Sequence, residues 1–537
     1  MMGKAQRRRF VLSSNSRNVN DLQANFIVRL LPSTSNLSGK TVMQYRSSIA
    51  LRMVGFCLVL SSFGFCVQLI RPKSQLLPSN TIIPRNGENP SKQEPRSLRK
   101  GQTKHGEATI HLVFSTGCSL WQDWQSLVFF YHVKKVGQVG NVTRIVSGCN
   151  GDQAQQLSDF HQQYVNNALS ENFHVHFTPD YSTILPNVKY KYFNKPFGLK
   201  HWMEESLGYS SSSSASSSAS LAILNNNTHD QDVIILLDPD QILLRPLTDD
   251  YSNVDMRWTA DLGFHKRVQQ GIVFAQQYGY RSDWLTDVNV AHVLQNETSS
   301  DEYSPSALWN IPSGLAVRFA AGPPYLATAK DMYKIVTYWT KFAPRVVESH
   351  PSLLAEMYAY TLASMHVRLP TFTAYGFMVS DTRLSANAFG EEGWYWIEDD
   401  LKGQRSTQKL QAVCGKSLPS GNRENTPFIL HYCQTYNLGY VHFFKYALPD
   451  TFTKCDSPLL KEPSMEDLLH HDYAINPITN IRTDFGTATI DKQRRAFREA
   501  WMLCTLIPAI NEAIAFHKQQ YCPKNESTDF RRLGILW

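Results

Sequence analysis

Residues 233–247 read VIILLDPDQILLRPL, and this run constrains the fold more than any other stretch. Five aliphatic residues in succession, from Val233 to Leu237, predict a strand buried on both faces, as in a parallel sheet covered by helices. Asp238-Pro-Asp240 follows at once. Because ligands of open α/β sheets bind beyond the carboxyl ends of the strands, the motif is placed for a ligand site. A tight turn that caps the strand is the alternative.

A strand, a helix and a strand open the folded part of the chain. ATIHLVFSTGC (108–118) predicts a strand, LWQDWQSLVFFYHVKKVG (120–137) a helix and TRIVSGC (143–149) a second strand. This βαβ unit indicates an α/β fold with a mostly parallel, Rossmann-like sheet flanked by helices. Further strands are predicted at 173–182, 394–397 and 427–433, and helices at 195–208, 324–343, 351–367 and 491–522, the last broken at Pro508.

The positive charge belongs to one end of the chain. Residues 1–52 contain nine Lys or Arg and one acid, whereas the whole chain carries a net charge of +7. The remainder is close to neutral, which argues against a nucleic-acid partner. Residues 53–70 (MVGFCLVLSSFGFCVQLI) are uncharged and lie at the short end of the length that a transmembrane helix needs. A buried core helix and a cleaved signal peptide are the alternatives. A basic flank on the amino side predicts a signal-anchor with a cytosolic tail at 1–52 and a lumenal body.

A flexible stem is predicted between the transmembrane segment and the folded lumenal domain. Residues 71–107 are rich in Pro, Asn, Lys and Ser, which is typical of a flexible linker. The folded domain is predicted at 108–460, interrupted by a disordered Ser-rich insert at 209–221, with a helical extension at 461–537.

Seven cysteines lie beyond the apolar segment, and none has the spacing of a zinc site. An oxidising lumen would favour disulfides, with Cys118–Cys149 and pairs within 414–522 as plausible bridges and one thiol left over. Sequons in the same part of the chain agree with a lumenal location; they begin at Asn141, Asn226, Asn296 and Asn525.

The chemistry of Asp238-Pro-Asp240 points to a hard cation. Alternation along an extended backbone places both carboxylates on one side, and the proline between them stiffens the pair. Carboxylate oxygens suit Mg²⁺ or Mn²⁺, which keep open positions for the phosphates of a bound nucleotide. Such a metal would act as a Lewis acid for the departure of a diphosphate.

Several longer stretches resemble a known family. HLVFSTGCSLWQDWQSLVFFYHVKKVGQVGNVTRIVSGC, YFNKPFGLKHW, ILLDPDQILLRPL, LLAEMYAYTLAS and PFILHYCQTYNLGYVHFFKY are similar to the hydroxyproline O-arabinosyltransferases and the related peptidyl-serine α-galactosyltransferases. The resemblance spans roughly residues 109–460 and implies a GT-A-type glycosyltransferase. The Ser-rich insert and the tail past residue 460 depart from that family.

The resemblance implies roles for individual residues. Asp240 would bind the metal, Asp238 the ribose or the same metal, and His431 would be a third metal ligand unless it is a core histidine. Lys195 would neutralise the diphosphate, unless it is simply solvated. Trp124 and Gln125 would line the nucleotide or belong to the helix that packs beside it, and for Trp124 core packing is the stronger expectation.

An inverting mechanism would need a carboxylate base near the acceptor hydroxyl. Glu356 is the candidate, because it stands alone on an apolar helix where an unpaired carboxylate is costly. A buried ion pair is the alternative. Asp381, Glu391 and Glu392 are further candidates, and the aromatic run 394–396 would stack on sugar or peptide unless it belongs to the core. A retaining mechanism would need no base.

The sequence therefore predicts a single-pass type II membrane glycosyltransferase of the Golgi or endoplasmic reticulum. It would use Mn²⁺ or Mg²⁺ to transfer a sugar from a UDP-sugar to a hydroxyproline or serine hydroxyl of a protein. A non-catalytic lumenal protein that binds carbohydrate or nucleotide on the same fold is the main alternative. A metal-dependent hydrolase has less support, because no HExxH motif occurs.

Overall fold

A computed structural model describes residues 108–210, 227–260, 262–263, 265–278, 284, 288, 290–295, 320–369, 371–383, 392–400, 413–414, 426–469 and 490–523. The predicted cytosolic tail, anchor and stem lie outside the described residues, as do Glu391 and most of the Ser-rich insert. The predicted α/β architecture is present in the described part of the chain.

The main sheet has seven strands in the order β3-β2-β1-β4-β7-β6-β8. Strands β3, β2, β1 and β4 are mutually parallel, whereas β7 is antiparallel to β4 and β6, and β8 is parallel to β6. The bounds are β1 Ile110–Gly117, β2 Asn141–Ser147, β3 Phe173–Thr178, β4 Val233–Leu237, β6 Val273–Gln277, β7 Ala321–Thr328 and β8 Thr371–Ala374.

The chain winds from β1 to β3 on one side and then returns to place β4 on the other side of β1. Phe114 of β1 lies opposite Leu237 of β4, so the two strands end at the same edge of the sheet. A reversal of this kind opens a crevice at the carboxyl ends of the two strands. Asp238, the residue after β4, lies at this crevice.

The two faces of β4 enter two different hydrophobic clusters because side chains alternate along a strand. Ile234 and Leu236 pack with three helices on one face, whereas Val233, Ile235 and Leu237 pack with a fourth helix on the other face. These helices are α3 (Asn194–Leu207), α5 (Ala329–Ser349) and α6 (Ala355–His366) on the first face, and α1 (Leu120–Lys135) on the second. Burial on both faces explains the uninterrupted aliphatic run.

A smaller sheet extends the crevice. Its strands are β5 (Gln241–Leu243), β10 (Ile429–His431) and β9 (Met378–Val379), with β10 antiparallel to β5 and parallel to β9. A hairpin follows it, formed by β11 (Tyr436–Leu438) and β12 (Val441–Phe443). The remaining helices are α2 (Gly151–His161), α4 (Val290–Val293), α7 (Trp394–Asp400), α8 (Met465–Leu469) and α9 (Ile490–Tyr521).

Four expectations about local structure are wrong. The helix predicted at 324–343 begins only at Ala329, because the preceding residues form β7, which is fully buried between β4 and β6. The strand predicted at 394–397 is the start of α7, whose aromatic residues are all buried, so that no periodic pattern marks the helix. Pro508 lies inside α9, which continues across it because its apolar residues pack in the core.

The fourth concerns the edge of the Ser-rich insert. Tyr209 belongs to the core, since its ring stacks on Tyr333 at a centroid distance of 4.7 Å and its hydroxyl donates to Asp230 at 3.0 Å. The division between a domain at 108–460 and an extension at 461–537 stays a prediction. The described part of α9 shares one hydrophobic cluster with Ile242 of β5 and Leu430 of β10.

The disulfide bonds agree with the pairings, and with the one leftover thiol, that are predicted from the cysteines of the sequence. Cys118 pairs with Cys149 beyond the ends of β1 and β2, and Cys414–Cys504 and Cys455–Cys522 form within the predicted set. Cys433 is a free thiol.

Within the described part of the chain, one helical segment is long and apolar enough to cross a membrane. It is Arg494–Tyr521, whose most apolar 18-residue window has a mean hydropathy of 1.2 and is 78% buried inside the protein. Burial of this extent is typical of a core helix. The segment at 53–70 lies outside the described residues, so the predicted anchor stays a prediction.

Candidate active site

Both aspartates of the motif are held at the carboxyl end of β4. The backbone N–H of Asp238 donates to Gln241 Oε1 at 3.0 Å, which closes a tight turn around Pro239. The carbonyl of Asp240 accepts from the Tyr432 N–H at 3.0 Å, so the turn is tied to the end of β10. The motif is therefore both a turn and a point where two carboxylates emerge together.

His431 meets the motif because β10 pairs with β5 and sets His431 opposite Gln241. Its Nε2 lies 3.3 Å from Asp240 Oδ1, and its Nδ1 lies 3.4 Å from the Tyr278 hydroxyl. The histidine is 3% exposed, and a hydroxyl on the second ring nitrogen is the kind of contact that orients a metal-binding imidazole. The predicted trio of Asp238, Asp240 and His431 has its potential ligand atoms within 4.8 Å of one another.

Lys195 and Glu356 reach the trio from two helices. Lys195 lies in the first turn of α3, where Pro196 is tolerated, and its Nζ contacts Asp238 Oδ1 at 2.7 Å. Glu356 lies in the first turn of α6, and its Oε1 is 3.4 Å from the same Nζ, an ion pair without a hydrogen bond. Both predicted residues thus belong to one buried network with the motif.

Glu356 is fixed through its backbone. Its N–H donates to the Tyr190 hydroxyl at 3.1 Å, and its carbonyl accepts from Trp339 Nε1 at 2.8 Å. The backbone is therefore held on both sides, and the side chain it carries is buried beside Lys195.

Lys445 is a member of the site that the sequence analysis missed. It begins a short 3₁₀ turn at Lys445–Ala447, after the hairpin, and its Nζ hydrogen-bonds to Asp240 Oδ2. The ammonium group is largely buried, with 10% of the side chain exposed. Its signal in the sequence is a lone lysine inside the aromatic run HFFKY, where a buried charge needs a partner. Gln241 and Tyr278, which support the aspartates and His431, carry no comparable signal.

Opposite charges set the protonation of this network. Burial alone would raise the pKa of Asp240, but Lys445 and His431 outweigh it and hold that pKa far below its usual range. Burial would lower the pKa of Lys195, but Asp238 and Glu356 raise it above its ordinary value. For His431, Cys433 and Asp240 likewise outweigh burial and raise the pKa. Burial raises the pKa of Glu356 to about 7, against the opposing charge of Lys195.

The donor set fits a divalent cation. Two carboxylates and one imidazole are ligands that Mn²⁺ accepts, and their ligand atoms are close enough to share one ion. Each carboxylate also faces an ammonium group, Lys195 at Asp238 and Lys445 at Asp240. A metal would therefore be bound beside two buried ammonium groups, whose charge favours a second, anionic ligand.

The other predicted acids are paired with different groups. Asp381 forms an ion pair with Arg383, with Nη2 and Oδ2 separated by 2.6 Å. Glu392 is buried and accepts from the Ser380 hydroxyl at 2.7 Å and the Asp381 N–H at 2.9 Å, so it organises the turn after β9. Burial raises the pKa of Glu392 to about 7. Glu391 lies outside the described residues.

The predicted aromatic contacts are mostly core contacts. Trp124 is fully buried in α1 and packs beside Tyr432, the residue after His431, at a ring distance of 6.1 Å. Gln125 is also buried. Trp394 packs against Trp501, and Tyr395 lies under Arg257. A role of Trp124 or Gln125 in nucleotide binding stays a prediction.

Comparison with known proteins supports the resemblance. No protein-family model matches the chain. The chain is 27% identical over 183 residues to a peptidyl serine alpha-galactosyltransferase of Arabidopsis thaliana, a match that covers 34% of this chain and 18% of the relative. The predicted resemblance to these transferases is thereby confirmed, although the matched region spans less than a fifth of the relative's length.

Solved structures give only remote overlaps. An active-site mutant of LgtC has a TM-score of 0.29 at 11% identity, covering 60% of this chain and 87% of LgtC. The glycosyltransferase GlyE of Streptococcus pneumoniae TIGR4 has a TM-score of 0.29 at 10% identity, covering 64% of this chain and 59% of GlyE.

Proposed function

We propose that this protein is a metal-dependent glycosyltransferase that moves a sugar from a UDP-sugar to a hydroxyl group of a protein, with serine or hydroxyproline as the acceptor. The observation that carries the proposal is the convergence of Asp238, Asp240 and His431, with Lys195 and Lys445 beside them, at the carboxyl end of β4. The partial similarity to a peptidyl serine alpha-galactosyltransferase supports sugar transfer in general.

The charge balance of the site favours a diphosphate. The carboxylates of Asp238 and Asp240 are matched by the ammonium groups of Lys195 and Lys445, so these four charges cancel. A divalent cation at the trio would add about two positive charges, which the diphosphate of a nucleotide-sugar would neutralise. When Glu356 is protonated, a metal without such an anion would leave a surplus of buried positive charge, which is costly.

The residues have distinct tasks in this proposal. Asp238, Asp240 and His431 would hold Mn²⁺ or Mg²⁺, which supplies Lewis-acid assistance to departure of the UDP leaving group. Lys195 and Lys445 would stabilise the negative charge that develops on that leaving group, because a preorganised ammonium group in a dry site acts more strongly than one in water.

Glu356 is our proposed base if the reaction inverts the sugar. A carboxylate with a pKa of about 7 accepts a proton near neutral pH far better than one with an ordinary pKa, since a base works best when its pKa is close to the operating pH. Asp381 is a weaker choice because Arg383 already neutralises it.

We propose that the acceptor binds beside a pair of stacked aromatic residues, Trp121 and Tyr446, called here the aromatic wall. Trp121 and Tyr446 stack face to face with a centroid distance of 5.0 Å, and Tyr446 directly follows Lys445. Tyr446 is 41% exposed, so its surface is available to a sugar or peptide. Aromatic side chains supply large, rigid contact area for such ligands.

We also propose that the protein is a single-pass type II membrane protein of the Golgi or endoplasmic reticulum, anchored by residues 53–70. Disulfides at Cys118–Cys149, Cys414–Cys504 and Cys455–Cys522 support an oxidising compartment, since such bonds are rare in the cytosol.

A donor screen tests the proposed activity. Purified full-length protein is incubated with UDP-sugars, with a serine peptide or a hydroxyproline peptide, and with or without Mn²⁺. We expect a sugar to be transferred to one peptide only when Mn²⁺ is present. Release of free sugar at the same rate without peptide would indicate a hydrolase, and absence of both reactions would favour a binding protein.

A further inference from the structure

A second cluster of metal-ligating side chains lies at the other end of β4. His229 and Asp232 belong to the turn that enters the strand, and His111 lies on the neighbouring strand β1, opposite Ile234. His229 Nδ1 is 2.7 Å and His111 Nε2 is 3.2 Å from the same oxygen, Asp232 Oδ2. All three ligand atoms lie within 4.8 Å of one another.

We propose that His111, His229 and Asp232 form a second metal site, separate from the candidate active site, that binds Zn²⁺. Two imidazoles and one carboxylate are a common donor set for zinc. With bonds of about 2.0–2.1 Å, ligands around a tetrahedral zinc ion are roughly 3.3 Å apart, so the two measured separations need only small adjustments.

The ligands are held in place before any metal binds. Asp232 Oδ1 accepts from the Thr109 N–H at 2.8 Å, which leaves Oδ2 directed at the two histidines. The Asp232 N–H donates to the His229 carbonyl at 2.9 Å, and Asn227 Oδ1 accepts from the His229 N–H at 3.0 Å. His111 is part of a central strand. Backbone contacts therefore fix all three ligands, as expected of a site built on rigid elements.

The solvent access of the cluster and its number of ligands also agree with a zinc site. His111 and Asp232 are buried, whereas the His229 side chain is 40% exposed and gives the site a route to solvent. Three protein ligands leave a fourth position for water. The ion would join the turn at 227–232 to β1, and so fix the start of the strand whose other end carries Asp238.

Zinc stoichiometry tests this site without depending on transferase activity. Full-length wild-type protein, stripped with a chelator and dialysed against Zn²⁺, is compared with His229→Ala by elemental analysis and thermal unfolding. His265→Ala, which removes another exposed histidine, is the matched control. Because His229 is partly exposed, the variant is expected to fold.

We expect His229→Ala to bind one Zn²⁺ fewer than wild type and to lose the increase of a few degrees that Zn²⁺ produces in the thermal midpoint. His265→Ala should match wild type, and Mn²⁺-dependent turnover should be unchanged in both variants. His229→Gln, which retains a polar side chain of similar reach, should behave as His229→Ala. Equal zinc content in wild type and His229→Ala would overturn the proposal and leave a hydrogen-bonded cluster.

Discussion

The two ends of β4 carry the same kinds of side chain but differ in their charge partners. At the amino end, Asp232 faces two histidines, and both belong to the adjacent turn and strand. At the carboxyl end, Asp238 and Asp240 face Lys195, Lys445 and His431, which come from three separate segments. The amino end can hold a cation alone, whereas the carboxyl end can hold a cation together with an anion.

This difference follows from topology. The carboxyl ends of β1 and β4 open into the crevice where the chain reverses its direction across the sheet, so α3, α6 and β10 can all direct side chains into it. The amino end receives its ligands from one turn and from the neighbouring strand β1. The candidate active site thus differs from the proposed zinc site by its larger number of buried opposite charges, which come from several separate segments.

Removing Asp240 should produce the largest difference between the two ends. Asp240→Asn is expected to lower sugar transfer by at least about 10³-fold, because both a metal ligand and the partner of Lys445 are altered. Asp232→Asn should leave transfer within roughly twofold, since it lies at the other end. Turnover of a UDP-sugar with a peptide acceptor measures both, and equal losses would remove the distinction.

The same variant should also lose stability. From sequence alone, Asp240→Ala is expected to leave the thermal midpoint nearly intact, and the structure revises this expectation. Loss of Asp240 leaves Lys445 as a buried uncompensated charge, a change that typically costs about 3–5 kcal/mol. Chemical unfolding of Asp240→Asn and of Asp240→Asn with Lys445→Met should show partial recovery in the double variant, with no recovery of turnover. A double variant no more stable than the single one would contradict the ion pair.

Glu356 and Glu392 form a matched pair of buried carboxyl groups, each with a pKa of about 7. If Glu356 is the base, Glu356→Gln should lower kcat by about 10²–10⁴-fold with little loss of stability. Glu392→Gln should leave kcat unchanged and cost about 1–3 kcal/mol, because its oxygens accept three hydrogen bonds. Unchanged kcat in Glu356→Gln would favour a retaining mechanism.

Glu392 should also make stability depend on pH. Its folded-state pKa of about 7 lies above the ordinary value of 4.5, so the folded state favours the protonated form. Its stabilising contribution is therefore complete below about pH 4.5 and is lost as pH rises through 7, by on the order of 3 kcal/mol. Urea unfolding between these limits should show a steeper decline for wild type than for Glu392→Gln. Parallel pH profiles would contradict the assigned burial effect.

The aromatic wall should have the smallest effect. Trp121→Ala is expected to raise the KM for the acceptor peptide several-fold, a loss of about 1 kcal/mol, without changing kcat. Leu120→Ala, at an adjacent residue that is 68% exposed, is the control. Equal KM values in the two variants would place the acceptor elsewhere.

The residues of the candidate site can be predicted from sequence where their spacing or burial produces a pattern. The aliphatic run before Asp238 predicts a buried strand, and Glu356 is recognisable as the one acid of an apolar helix. The resemblance to known transferases pointed to His431 and Lys195, and the structure brings both to the motif. The lone lysine of HFFKY indicates only that a buried charge needs a partner; it does not indicate Asp240, which lies 205 positions away.

The wrong expectations have the same origin. The sequence pattern extends the helix α5 back into β7, because the residues of β7 are buried on both faces and continue directly into α5. The start of α7 resembles a strand in sequence, because its four successive buried residues, 394–397, show no helical period. In both cases tertiary burial removes the periodic signal on which a prediction from sequence depends.

Calorimetric titration of UDP into the full-length protein tests the central claim most directly, because it separates metal and diphosphate binding from the choice of acceptor. We expect UDP to bind at least tenfold more tightly with Mn²⁺ than without it. Asp240→Asn should abolish that difference, and His229→Ala should preserve it. UDP affinity that is the same with and without Mn²⁺ in the wild-type protein would contradict a metal and diphosphate site at Asp238 and Asp240.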